Sequence, residues 1–600
     1  MTTSTLYNFV YKALSLSWLT GPIFDKELRT SSRRRRNYVL RFVYLAFLTF
    51  FITIVWLDDV HYSGSAVYRV SRMAKTGQLI IVCIAWLQFC MTQLAAVIML
   101  STSISDEIYN RTLGLLMTTP INSFQIVMGK LLSKLLQLIL LLLISLPLLA
   151  IVRVLGGVPW GYVISSLCIT LTTIIFVGSI SLFFSIFSRR PYKVIIITFL
   201  LIGILFALLP LLMVMLWHTM EWHTIISENT LFAIISAFDP YFTMFFNTIK
   251  MIEPGGAGSI PSISWPLNCG IMLALSAMIL FISMIRVRKV ALRQVTGQLG
   301  VSRRKRRSVE NTEVTSNHPL RRLSGIRRVK GPPVLWKELR FPLLGQRKIA
   351  TSIIVGLGLI VLAGTYFLCG IEGVLDEEDL HKFYAFIALV LGLLSTVVLS
   401  ATCITSEKES RSWPILLATT LDDRAILFGK WGGILRRCLP AWIFLFGHVT
   451  IFCLAGIIHP IALFQIGLVC VWSLVFLSGS GLYFSTLFKR TTPAVTMNFA
   501  LAIVLWVILP ILMGMMGEFF HGSRHMAETY LDTNPFVQTI AVIEATVNGL
   551  EDYHWFSFNR KDSLNVVEST IWIFECLAGY TTLGILLAWS AMRRFRRHIF

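Results

Sequence analysis

The residues best suited to polar chemistry fall in two matching stretches of the chain. Glu107, Arg111, Thr112, Leu116, Thr119, Gly129 and Lys130 recur as Glu407, Arg411, Ser412, Leu416, Thr419, Gly429 and Lys430, without a gap between the copies. Each stretch puts a Glu and an Arg one helical turn apart. A turn follows, Thr118-Thr119-Pro120 or Thr419-Thr420, and then a second helix that runs into Gly-Lys. Asn122 and Asp422 stand where an N-cap would accept bonds from that helix's free amides. The Glu/Arg spacing permits an intrahelical ion pair, worth about a few tenths of a kcal/mol. Recurrence of a polar island between long apolar runs points further, to a docking surface. There the charges would fix orientation while Leu115 and Leu116 fill a partner's groove.

Other chemistry is sparse. No GxxxxGK[ST] phosphate loop occurs, since Phe124 stands where Gly129-Lys130 would need its upstream glycine, so the chain is not expected to hydrolyse ATP. His218-Thr219-Met220-Glu221-Trp222-His223 fits neither HExxH nor HxxEH; it reads as an interfacial aromatic belt, and no metal site is expected. Glu575 is the clear acid within a long apolar run and a candidate for a proton or cation path. His448 and Asn498 are weaker candidates of the same kind.

The elements that must carry these residues are membrane spans. Of 600 residues, 55% are hydrophobic and only 14% charged, and the mean hydropathy is +0.72. That composition is expected of an all-α, polytopic membrane protein. The net charge of +22 comes from 53 basic and 31 acidic residues. Much of the excess flanks apolar runs, as in Arg33-Arg34-Arg35-Arg36 and Arg303-Arg304-Lys305-Arg306-Arg307, which reads as positive-inside topology and not as nucleic-acid binding. The ten cysteines show no CxxC and imply no disulfide framework.

In chain order, residues 7–19 are too short to span and suit a helix on the membrane surface. Gly21-Pro22 and Lys26-Glu27-Leu28-Arg29 follow, and the same block returns as Gly331-Pro332 and Lys337-Glu338-Leu339-Arg340. About twelve transmembrane helices, arranged as two six-helix repeats, are expected. The first six lie near 38–57, 78–100, 131–152, 163–187, 194–217 and 269–285. The second six lie near 350–369, 383–403, 438–457, 462–484, 494–516 and 571–592. Phe184-Ser185 matches Phe484-Ser485, and Pro210 matches Pro510. Each half has a longer loop before its last span, holding Asp239-Pro240 or Asn534-Pro535, where short helices dipping into the membrane are expected. The organisation is therefore a first half at 1–290, a basic linker at 291–330 on anionic lipid, and a second half at 331–600. Both islands, the basic loops at 188–193 and 489–493 and both termini are expected on the cytoplasmic side. The basic loop at 58–76 disagrees with that topology.

The islands resemble those of the permeases of type-2 ATP-binding-cassette (ABC) exporters. The resemblance rests on Glu107, Thr112-Leu113, Leu115-Leu116, Thr119-Pro120 and Gly129-Lys130, and on Glu407, Ser412, Leu416-Leu417, Thr419 and Gly429-Lys430. Arg111 and Arg411 stand where the family has Gly, Pro414 is an intrusion, and Thr420 replaces Pro. The resemblance implies that the islands contact two separate nucleotide-binding subunits. ATP and Mg would be held by those subunits, this chain needing no cofactor of its own. It implies an unidentified substrate and a bacterial cytoplasmic (inner) membrane. An ion-coupled secondary transporter and a non-transporting membrane scaffold remain open as alternatives.

Overall fold

The computed structural model describes residues 17–33, 35–60, 66–110, 112–116, 118, 119, 121–188, 190–253, 264–295, 331–340, 348–516, 523–547, 555 and 564–595. Most of the surface helix expected at 7–19 and of the linker expected at 291–330 lies outside these residues. The described chain is all-α, with two isolated bridges, Ile458 to Val547 and Trp555 to Leu564. Helices are what an apolar chain can form in lipid, because each satisfies its own amides and carbonyls.

The first half contains α1 (Ser17–Ser32), α2 (Arg35–Val60), α3 (Ala66–Ser101), the short α4 (Ser105–Tyr109) and α5 (Leu113–Leu116), α6 (Ser123–Gly156) and α7 (Trp160–Phe187). It continues with α8 (Pro191–Thr219), α9 (Glu228–Phe238), α10 (Pro240–Ile252) and α11 (Trp265–Val295). The second half repeats this series element by element. α12 (Pro333–Arg340), α13 (Lys348–Glu372), α14 (Glu378–Ala401), α15 (Thr405–Glu409), α16 (Trp413–Leu417), α17 (Asp423–Leu454) and α18 (Ile461–Leu487) come first. Then come α19, which starts at Thr491 and runs to Met516, α20 (Ser523–Leu531), α21 (Pro535–Thr546) and α22 (Val566–Arg594). Among the described residues, eleven helices are long and apolar enough to cross a membrane. The remaining expected span coincides with α2, a helix of 26 residues.

Local chemistry explains the repeat's punctuation. Gly21 and Gly331 have φ of +61° and +81°, a left-handed turn that favours glycine. The prolines after them suit a helix start, where no N–H is missed. α8 and α19 each contain one π turn, Ile204–Leu208 and Val504–Ile508. Both lie just before Pro210 and Pro510, whose rings crowd the carbonyl one turn back and offer it no donor. Asp239 and Asn534 cap α10 and α21, accepting from Tyr241 N and Phe242 N, and from Phe536 N. One sequence expectation is corrected. Arg69, Arg72 and Lys75 belong to the first turns of α3 and not to a loop, because that helix is 36 residues long.

The halves meet along a seam. α8 packs on α13 and α14, while α19 packs on α3 and α2. Ile195, Ile202 and Phe206 of the first half share one buried cluster with Ala385, Ala388 and Leu389 of the second. Phe199 and Phe499 meet across the seam with ring centroids 6.3 Å apart.

Candidate functional site

Each island closes on an ion cluster built from three elements. In the first half the Lys130 ammonium, at the start of α6, lies 3.1 Å from Glu27 Oε1 of α1 and 2.9 Å from Glu107 Oε1 of α4. Lys134 reaches the other Glu27 oxygen at 3.8 Å, and the Thr112 hydroxyl donates to Glu107. In the second half Lys430 of α17 lies 2.6 Å from Glu338 Oε1 of α12 and 2.5 Å from Glu407 Oε1 of α15. Arg437 takes the second Glu338 oxygen, and Lys337 approaches Glu407 at 3.4 Å. Lys430 is 3% exposed and Glu338 7%, so the pairing is internal. Burial alone would raise the Glu27 and Glu338 carboxyls. The lysines beside them outweigh it and hold both below the usual carboxylate range.

The geometry corrects the intrahelical reading of Glu407. α15 ends at Glu409 and Arg411 has φ of +54°, so the helix has stopped before an i,i+4 pair can form. Arg111 and Pro120 lie outside the described residues. Gly429 is buried for a packing reason. A Cβ there would come within 2.8 Å of Val334 Cβ and 2.9 Å of Leu335 N, so glycine lets α12 lie flush on α17.

Other contacts hold the islands to the spans. The Ser185 hydroxyl accepts from Ile104 N and Ser105 N at 3.0 and 2.9 Å, and the Ser485 hydroxyl from Ile404 N and Thr405 N at 2.8 and 3.0 Å. The free amides at the start of α4 and α15 are thus satisfied by the end of the fourth span in each half. Leu113 is buried in a cluster with Val287, Val290 and Ala291 of α11, while Trp413 packs edge-on against Phe595, 4.8 Å away, past the end of α22. The copies also differ in how the short helix is anchored. Lys408 donates to the carbonyls of Ser485, Thr486 and Phe488 at 3.0, 2.5 and 3.1 Å. Glu409 Oε1 accepts from Thr491 N and its hydroxyl at 2.7 and 3.0 Å. Ile108 and Tyr109 hold the matching positions in the first island, without the ammonium and carboxylate that make these bonds.

The outer surface of each island carries exposed side chains. Leu115 is 67% exposed and Ile415, its counterpart, 71%. Thr119, Thr419, Asn122 and Asp422 are exposed beside them, while Thr112, Leu116 and Leu416 are half-buried and Gly129 is buried. Asn122 N donates to Gln125 Oε1 at 3.3 Å, at the predicted N-cap. Glu575 lies on the exposed face of α22 beside Phe574, outside the bundle interior. His218 pairs with Glu372 of the other half at 2.5 Å, and no group of three metal-ligating side chains occurs among the described residues. Asn498 bonds Ser480, Ser400 and the Val397 carbonyl; His448 bonds Tyr366.

Sequence reasoning registered Glu27 and Glu338 only as repeat markers and missed Ser185, Ser485, Lys408 and Glu409 as anchors. The recurrence of Lys-Glu-Leu-Arg ahead of each half was the available signal for the first pair. The arrangement ties each polar island to the short helix that precedes its half and to three long helices of the bundle.

A family model described as ABC-2 family transporter protein matches residues 22–292 and, a second time, residues 273–592. Comparison with curated proteins gives no match. With the family unit present twice along an all-α, many-spanning chain, this protein belongs to the ABC-2 transporter family as two permease halves fused in one chain.

Proposed function

We propose that this chain is the translocation subunit of an ABC exporter in the cytoplasmic membrane of a bacterium. Separate ATPase subunits, one beneath each island, bind ATP and Mg and supply the energy. Both termini and both islands face the cytoplasm, and no nucleic acid is involved. The observation that supports this best is the recurrence of one construction: an exposed apolar residue, Leu115 or Ile415, on an island tied by Glu-Lys-Glu to a surface helix. Leu115, Thr119, Ile415 and Thr419 make the contact. Glu107, Lys130, Glu407 and Lys430 carry the movement inward. Glu575, on which an ion-coupled alternative relies, lies on the exposed face of α22 and not in the bundle interior.

Affinity purification of the full chain in mild detergent tests the proposal. Recovery of a protein bearing a GxxxxGK[ST] loop, at about two copies per chain, is the expected result. Recovery of no such protein, with cargo movement that stops when the proton gradient collapses and persists without ATP, would overturn it.

A further inference from the structure

Lys193 stands at the mouth of the seam, in the first turn of α8. Its ammonium lies 6.0 Å from the Tyr192 ring centroid. The charged side chains near it are Arg190 of its own half and Arg437 of the other, both positive. No acid pairs with it among the described residues. Neighbouring charges at the same end do have acids: Arg437 bonds Glu338, and Arg490 lies beside Asp106 and Glu409. The position is not duplicated, since Pro493 is its counterpart.

Beyond this mouth the seam is apolar. Ile195, Ile202 and Phe206 are buried in one cluster with Ala385, Ala388 and Leu389, and Phe199 meets Phe499. Two polar side chains along it are satisfied within their own halves, while the buried Tyr384 hydroxyl, in one cluster with Ile204 and Leu208, has no hydrogen-bond partner among the described residues. The Thr198 hydroxyl donates to the Val194 carbonyl at 2.7 Å, and Asn498 is held by Ser480, Ser400 and the Val397 carbonyl. A hydrophilic chain entering here would lose water and gain few hydrogen bonds, and a cation would meet like charge.

Resting on the permease reading, we infer that the cargo is an amphipathic anion, with a phosphate- or carboxylate-bearing head that pairs with Lys193 and an apolar body that follows the seam. The head neutralises an ammonium that the protein leaves among like charges. The body replaces one apolar contact surface by another as the halves part.

The test uses the full chain in lipid nanodiscs and fluorescent phosphatidylglycerol, fluorescent phosphatidylcholine and inorganic phosphate as probes. Wild type should bind phosphatidylglycerol about tenfold more tightly than phosphatidylcholine, with Lys193→Gln removing that preference and Lys193→Arg keeping it. Inorganic phosphate should not displace the lipid. Equal binding of both lipids, an unchanged preference in Lys193→Gln, or displacement by phosphate alone would overturn the inference. With the copurified ATPase present, ATP should move phosphatidylglycerol between leaflets. Binding without movement would sink the cargo assignment and leave the permease reading standing. Absence of any copurifying ATPase would sink the permease reading, while the binding comparison would still decide the Lys193 site.

Discussion

Lys430 shows what a single residue does in this protein. Its ammonium serves two largely buried carboxylates, and replacing it by Met leaves Glu338 to Arg437 alone and Glu407 to the more distant, exposed Lys337. Removing one partner of a buried pair costs on the order of 3–5 kcal/mol. Lys430→Met should therefore lower the thermal unfolding temperature clearly in detergent. Lys130→Met should lower it less, because Glu27 and Glu107 keep 29% and 25% of their side-chain surface exposed and can be rehydrated. The same carboxylates set a pH dependence. Glu27 and Glu338 are held below their ordinary range, so their stabilisation is complete above about pH 4.3 and fades as pH falls further through their folded values. The unfolding temperature should be level from pH 7 to about 5 and drop below about 4, and Glu338→Gln should lower the plateau and blunt the drop. The acids and lysines of these clusters were visible in the sequence as repeated letters. Their pairing was not, because Glu27 and Lys130 are brought together by a surface helix folding back across a span, a contact that no local spacing encodes.

At the scale of elements, the two islands are copies with unequal anchoring. α15 is fastened to the end of α18 by Lys408 and to the start of α19 by Glu409; α4 has neither bond. Amides at 404–410 should exchange at least about tenfold more slowly than those at 104–110 in hydrogen–deuterium exchange, and Lys408→Met with Glu409→Gln should close most of that gap. Equal exchange in the wild type would refute the anchoring. Glycines govern the close approaches elsewhere. A Cβ on Gly479 would lie 2.1 Å from the Gly584 carbonyl oxygen, so α18 and α22 touch backbone to backbone. Gly479→Ala should destabilise the second half by more than about 2 kcal/mol, read as a lower unfolding temperature. Span positions followed directly from hydropathy, since a bilayer imposes a length on every apolar helix. The π turns and the early start of α3 were not legible, because both depend on packing around Pro210 and Pro510 and on how a long helix emerges from the bundle.

Among the described residues, the molecule is two series of eleven helices meeting along an apolar seam, with a polar island at the same end of each half. That duplication was readable from the sequence because the islands, the Gly-Pro starts and the Phe-Ser ends recur in order. The seam was not, since apolar residues facing lipid and apolar residues facing the other half look alike in a sequence. The central claim is that the exposed faces of the islands bind ATPase subunits. It is tested most directly by changing Leu115 and Ile415 together to Asp. Both side chains are largely exposed, so the change puts charge where a partner's groove must be dry and leaves the bundle intact. The account predicts that the double variant inserts and unfolds at the wild-type temperature but brings down less than about a tenth of the ATPase recovered with wild type. Undiminished ATPase recovery by the correctly inserted double variant would contradict it.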